Sequence, residues 1–142
     1  MSQSTFLIRP AVAQDFPAID AFDPMGGDRA AEIAAGCMLV AVDASNDRAI
    51  GYVSWHPSGL LGRAYITFCA VDPAWRRRGV ARRLIDTVSV RFAGQRLFIS
   101  TETDNTAMLS LFARDGWTPC GEIRGANASG LPEVYLYRDE PA

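Results

Sequence analysis

The chain has 142 residues, a formal charge of −2 and 49% aliphatic or aromatic residues. That length fits a single domain with a true core, burying about 70% of its unfolded surface, and the composition excludes a disordered chain. A near-neutral balance gives no global field that would recruit nucleic acid. No apolar run approaches membrane-spanning length, and no basic segment with a long apolar run opens the chain, so the expected location is cytoplasmic. The three cysteines, Cys37, Cys69 and Cys120, are odd in number and lie in apolar runs. They read as buried reduced thiols, and with His56 as the one histidine no metal site is expected.

In chain order, Phe6-Leu7-Ile8-Arg9-Pro10 predicts a strand stopped by proline. Asp15 then reads as the N-cap of a helix with Phe16, Ile19 and Phe22 at helical spacing, broken at Asp23-Pro24-Met25-Gly26-Gly27. A short helix from about Arg29 to Ala35 stops at Gly36. Two strands, Met38 to Val42 and Ile50 to Trp55, flank the polar turn Ala44-Ser45-Asn46-Asp47-Arg48 as a hairpin, with His56-Pro57-Ser58-Gly59 closing the second. Tyr65 to Val71 completes an antiparallel meander.

Asp72-Pro73 ends that strand, and Arg76-Arg77-Arg78-Gly79-Val80-Ala81-Arg82-Arg83 follows at the mouth of a helix. The stripe Val80, Leu84, Ile85, Val88 and Phe92 marks the buried face, with Arg82, Arg83, Asp86 and Arg91 outside it. A helix N-terminus carries unpaired N–H groups and partial positive charge, so it suits a phosphate. Gly79 removes the Cβ from the approach, and the arginines add forked donors. The alternative is an arginine-rich loop that only keeps a surface wet. It is not a P-loop, because no Gly-Lys-Ser/Thr follows and the chain has no lysine.

Leu97-Phe98-Ile99 reads as a strand buried on both faces, parallel to the strand before the helix. Asn105 starts a further helix with Met108, Leu111 and Phe112 on one side, ending at Gly116. Two last strands, Trp117 to Ile123 and Glu133 to Arg138, flank Arg124 to Gly130. Within that loop the Asn127-Ala128-Ser129 glycosylation pattern reads as chance.

Arg76-x-x-Gly79-x-Ala81 after Val71-Asp72-Pro73 resembles the acetyl-CoA motif (Q/R-x-x-G-x-G/A) of the GCN5-related N-acetyltransferases, the GNAT family. Asn105, Ala107 and Phe112-Ala113-Arg114-Asp115-Gly116-Trp117 resemble a second family segment, and Ile8-Arg9-Pro10-Ala11 with Asp15-Phe16 resembles its opening. The element order β-α-α-β-β-β-α-β-α-β-β is also that of the family. The resemblance implies an α/β fold with a mixed sheet of about seven strands, in one domain spanning 1–142. A splayed parallel pair of strands would form the cofactor cleft.

The implied activity is acetyl transfer from acetyl-CoA directly to a primary amine of a small molecule, peptide or protein, without a metal. A non-catalytic acyl-CoA-binding module is the rival reading, and a basic-loop nucleic-acid binder a weaker one. The implied cofactor contacts are Cys69 and Val71 for the pantetheine arm, Arg76, Arg77, Arg78, Gly79, Val80, Ala81 and Arg82 for the diphosphate, and Asn105 and Phe112. Cys69 would also polarise the thioester carbonyl through its backbone, its side chain being a small buried hydrophobe. Phe112 stands where many members carry the tyrosine that protonates the leaving thiol, so that acid must come from Ser110, Tyr135 or Tyr137 if from any side chain. Ribosomal-protein N-terminal acetyltransferases usually carry a glutamate where this chain has Ser100. Glu102 points the same way by strand alternation and is the candidate base or cation-attracting carboxylate. His56 reads as structural or surface. Tyr52, Trp55, Tyr65 and Tyr135 are core or acceptor-groove residues. Expected partners are the amine acceptor and a second copy of the chain, with no nucleic acid and no membrane.

Overall fold

A computed structural model describes residues 5–23 and 26–142. Seven strands make one mixed sheet: β1 (Phe6–Pro10), β2 (Met38–Asp43), β3 (Ala49–Leu60), β4 (Arg63–Val71), β5 (Arg96–Glu102), β6 (Thr118–Ile123) and β7 (Glu133–Asp139). Their order across the sheet is β1-β2-β3-β4-β5-β7-β6. Among the described residues four α-helices accompany them: α1 (Phe16–Asp20), α2 (Arg29–Ala34), α3 (Val80–Val90) and α4 (Thr106–Arg114). This is the expected element order, and β4 pairs with β5 in parallel, with Tyr65 opposite Phe98. The chain divides into two compact units, Met1–His56 with Phe68–Val88 and Pro57–Thr67 with Ser89–Ala142.

In the first unit, β1, β2 and β3 run antiparallel, Ile8 facing Ala41 and Val40 facing Tyr52. Alternate residues point to opposite faces, and Met38, Val40, Val42, Ala49 and Tyr52 join Ile19 in the core, with Phe22, Ile33 and Phe68 packed against them. On α3 the expected stripe holds: Val80, Leu84, Ile85 and Val88 are buried. Full burial of each such side chain contributes roughly 1.5–3 kcal/mol, so Leu84→Ala is expected to cost about 2–5 kcal/mol. The helix comes this close because Gly51 lies beneath it. A Cβ there would sit 3.0 Å from Val80 Cγ1 and 3.3 Å from the Ala70 carbonyl.

Several local expectations are corrected. Asp15 does not cap α1 with its side chain. Arg9 takes the carboxylate in a two-pronged pair at 2.8 and 2.9 Å, and the Val12 N–H donates to it at 2.9 Å. The helix ends at Asp20, so Phe22 lies beyond it. Of the break at Asp23 to Gly27, Pro24 and Met25 lie outside the described residues. β3 does not close at His56-Pro57 but runs on to Leu60. Its pairing with β2 runs from Val42 with Ala49 to Met38 with Ser54, and Pro57 lies past that stretch, where its missing N–H breaks no bond to β2.

In the second unit, β5 alternates instead of being buried on both faces: Leu97 and Ile99 are buried, while Phe98 is half-buried. α4 begins as expected, Asn105 Oδ1 accepting the Met108 N–H at 3.3 Å. Gly116, at φ +83°, ends it. Arg138 ties the helix end to β7, donating to the Asp115 carbonyl at 3.1 Å and to Glu140 at 2.7 Å while its guanidinium covers Trp117 at 4.5 Å. The reading of all three cysteines as buried holds for Cys37 alone; Cys69 is half-buried and Cys120 exposed. Cys120 lies at a register shift between Pro119 and Gly121 on β6, the outermost strand, whose residues are all exposed.

Candidate active site

The first unit supplies a backbone cradle. β4 ends at Val71, and Asp72 turns the chain: its N–H donates to the Ile50 carbonyl at 2.8 Å and its carboxylate accepts from Ala74 N–H at 2.9 Å. A short 3-10 turn, Pro73–Trp75, follows and buries Trp75. Arg78 lies over that indole at 4.6 Å, and Arg83 covers the Phe6 ring at 4.9 Å. Two of the five clustered arginines therefore brace the loop as well as charging it.

On either side of Arg78 the backbone turns left-handed, at Arg77 (φ +63°) and Gly79 (φ +78°). For a non-glycine residue such a conformation is costly and is held only by its surroundings. Gly79 adopts it freely, and its carbonyl accepts the Arg83 N–H at 3.1 Å, which makes it the residue where α3 begins. The N–H groups of Val80, Ala81 and Arg82 then have no acceptor within the helix. Nothing lies within 4 Å of the position a Gly79 Cβ would take. Open space, orphan N–H groups, the positive end of the helix dipole and exposed Arg76, Arg77 and Arg82 come together here, a chemistry suited to a phosphate-bearing group. The residues fit a cofactor diphosphate.

Ahead of this loop, burial pushes the Cys69 thiol up to about 12, although the residue as a whole is half-buried. A thiol so raised stays protonated at neutral pH and is no nucleophile. Tyr52 and Trp55 are core, 1% and 4% exposed. The Tyr52 hydroxyl donates to Asp23 at 2.8 Å, and Asp23 also pairs with Arg29. His56 is exposed.

The second unit supplies a polar and aromatic face. Strand alternation puts Phe98, Ser100 and Glu102 of β5 on the side away from buried Leu97 and Ile99. Register places Glu133 opposite Glu102, Tyr135 opposite Ser100 and Tyr137 opposite Phe98. Tyr65 of β4 stacks with Tyr135 at 6.1 Å, and its hydroxyl meets Ser100 Oγ at 2.6 Å. Ser100 Oγ in turn donates to Glu133 at 2.7 Å, and Ser129 Oγ donates to Glu102 at 2.9 Å. Asn105 Nδ2 donates to Thr101 Oγ1 at 3.0 Å beside its capping role. A cavity of about 610 Å³ also opens in this unit, lined by Arg63, Gln95, Arg96, Phe98 and Asp139, but it lies at the opposite end of β5 from Glu102.

Phe112, expected at the cofactor, is fully buried and packs at a tilt against Trp117, ring centres 5.9 Å apart; this is a core position. The sequence alone assigns Glu133 no role, and the two polar residues of Asn127-Ala128-Ser129 read there only as a chance glycosylation pattern. Both turn out to hold glutamates, since Asn127 Nδ2 donates to Glu133 at 3.1 Å. Two polar side chains just before a strand that opens on glutamate were the available signal. Among the described residues no group of three or more His, Cys, Asp or Glu could hold a metal ion, and no helix is long and apolar enough to cross a membrane.

A mixed seven-stranded sheet with an anion cradle at the helix after its fourth strand defines a class of acyltransferases. The chain belongs to the acetyltransferase (GNAT) family, whose model matches residues 8–117. Over 73 residues it is 40% identical to uncharacterized protein ML0378 of Mycobacterium leprae (strain TN), a match covering 50% of this chain and 20% of that one. The chain thus spans about a fifth of the length of the curated relative it matches. Among solved structures, Ard1 from Thermoplasma volcanium superposes with a TM-score of 0.82 at 16% identity, over 96% of this chain and 99% of the other. The ribosomal-protein-S18-alanine N-acetyltransferase from Escherichia coli gives 0.75 at 16%, covering 97% and 96%. Arabidopsis thaliana NAA60, solved with acetyl-CoA, gives 0.77 at 18%, covering 95% and 98%. At these identities the likeness establishes the fold.

Proposed function

We propose that the chain is a single acetyltransferase domain that moves an acetyl group from acetyl-CoA directly to a primary amine of a small molecule, peptide or protein. The observation that carries this reading is the start of α3, where Gly79 opens the backbone and three N–H groups lack helical acceptors. There the diphosphate would rest on N–H groups from Val80 to Arg82, with Arg76, Arg77 and Arg78 adding charge. Backbone groups of Cys69 and Val71 would hold the pantetheine arm and polarise the thioester carbonyl, and Asn105 would add a contact. Acetyl-CoA supplies the activated acyl group. The chain's part is to hold it, to stabilise charge on the carbonyl oxygen and to receive the amine. The protonated Cys69 thiol agrees with a role through the backbone alone. Glu102 is half-buried at the end of β5 and available as a base or a cation-attracting carboxylate. A cytoplasmic location and a homodimer belong to the same reading.

One observation favours the rival, a non-catalytic acyl-CoA-binding module. The ring at Phe112 has no proton to give and is shut in the core. A screen of amines and free-amine peptides for CoA release decides between them. Release with at least one acceptor is expected; acetyl-CoA binding without release from any amine would support the rival.

A further inference from the structure

Three segments of the second unit meet at Glu133. Its Oε2 accepts the Ser100 hydroxyl at 2.7 Å and its Oε1 accepts Asn127 Nδ2 at 3.1 Å. Asn127 Nδ2 also donates to the Leu131 carbonyl at 3.1 Å, which fixes the loop that carries it. Ser100 has one hydroxyl proton and gives it to a carboxylate, which can only accept. The 2.6 Å contact with Tyr65 therefore runs the other way, from the Tyr65 hydroxyl to Ser100 Oγ. Burial pushes Tyr65 up to about 12, so the phenol keeps that proton across the neutral range. The result is a directed chain, Tyr65 to Ser100 to Glu133, with the carboxylate gripped at both oxygens before any ligand arrives.

We propose that Glu133 is the specificity-determining carboxylate of the acceptor site, taking the ammonium head of a cationic primary amine; this rests on the N-acetyltransferase reading above. Three further features support it. A carboxylate has about four lone-pair directions, and the two donors use one on each oxygen, leaving both oxygens able to accept again. Glu102 stands directly opposite in register, and like charges facing each other across a strand pair repel. Neither glutamate has an arginine at ion-pair distance among the described residues, so a positive charge is what this face lacks. The stacked rings of Tyr65 and Tyr135 also present apolar surface and π-density to an alkylammonium. Glu133 leads over Glu102 because its grip comes from a neighbouring strand and an anchored loop. Glu102 is held by Ser129, an exposed loop residue, alone.

The test is equilibrium binding to the full chain, followed by backbone amide shifts, with hexylammonium as the cationic probe and hexanol as its uncharged counterpart. The wild type is expected to bind hexylammonium in preference to hexanol, with shifts at Ser100, Glu102, Glu133 and Tyr135. Glu133→Gln is expected to weaken hexylammonium at least about tenfold, as loss of a charge-assisted contact does, and to leave hexanol unchanged. Glu133→Asp is expected to recover part of the loss. Glu133→Gln with unaltered preference for the cation, or a wild type that does not distinguish the two probes, would overturn the proposal. Acetyl-CoA binding is measured in parallel: its absence would remove the acetyltransferase reading, whereas its presence with no cation preference removes only the role of Glu133.

Discussion

The start of α3 and the open face of β4, β5 and β7 solve two recognition problems by different means. The first offers backbone. Its donors are N–H groups that any sequence would supply, and the residues around them serve to set φ at two positions and to add charge. The second offers side chains, Tyr65 from β4, Ser100 and Glu102 from β5, Asn127 from the loop after β6 and Glu133 from β7. A backbone cradle tolerates change at most side chains and fails when its geometry is blocked. A side-chain array keeps its geometry and fails when a charge is removed.

The sharpest way to break this contrast is Gly79→Glu, which adds a Cβ where φ is +78° and a negative charge where an anion would rest. Loss of detectable acetyl-CoA binding is expected, with the chain still folded by circular dichroism. Normal binding would place the diphosphate elsewhere. In contrast, Arg77→Gly, which relieves a left-handed arginine while removing one charge, is expected to retain binding with a change of tenfold or less.

A smaller effect is expected at Phe112. Because its ring is fully buried, Phe112→Tyr puts a hydroxyl into a packed core, a change that costs roughly 1–3 kcal/mol when the group finds no partner. Denaturant melts should register that loss while CoA release persists. A gain of about 10²-fold or more in turnover would instead mean that the native chain lacks an essential acid.

The smallest effect concerns Cys69. Its thiol is raised in the folded chain above its unfolded value, so the folded state holds the proton longer. Stability from this group is therefore level below about pH 8.5, the unfolded value, and falls as pH rises toward about 12. Cys69→Ala is expected to leave the pH–rate profile between about 6 and 8 unchanged, since the thiol stays protonated across that range, and to flatten the alkaline loss of stability. A profile that shifts in the neutral range would show the thiol taking part in the chemistry.

The same contrast explains what the sequence made legible. Local rules located the cradle: Asp72-Pro73 stops a strand, Gly79 precedes an apolar stripe at helical spacing, and Asn105 and Gly116 bracket α4, all within single segments. Alternation likewise put Glu102 on the face of Ser100. The errors arose where a distant partner decided. Asp15 was taken from its helix by Arg9, and β3 outran the proline because its pairing with β2 stops at Ser54, short of Pro57. Cys120 reads as apolar strand yet sits on the last strand of the sheet. The Glu133 cluster was least legible, because Tyr65 and Ser100 are 35 residues apart and Ser100 and Glu133 another 33. No spacing along the chain announces that these three side chains share a network; the sheet register brings them together.

The central claim is that the open start of α3 holds acetyl-CoA, and thermal unfolding with and without it tests this most directly. At about a hundredfold excess over the dissociation constant, linkage predicts roughly 2.7 kcal/mol of added stability and a matching rise in the midpoint. An unfolding midpoint that does not move in millimolar acetyl-CoA would contradict the account.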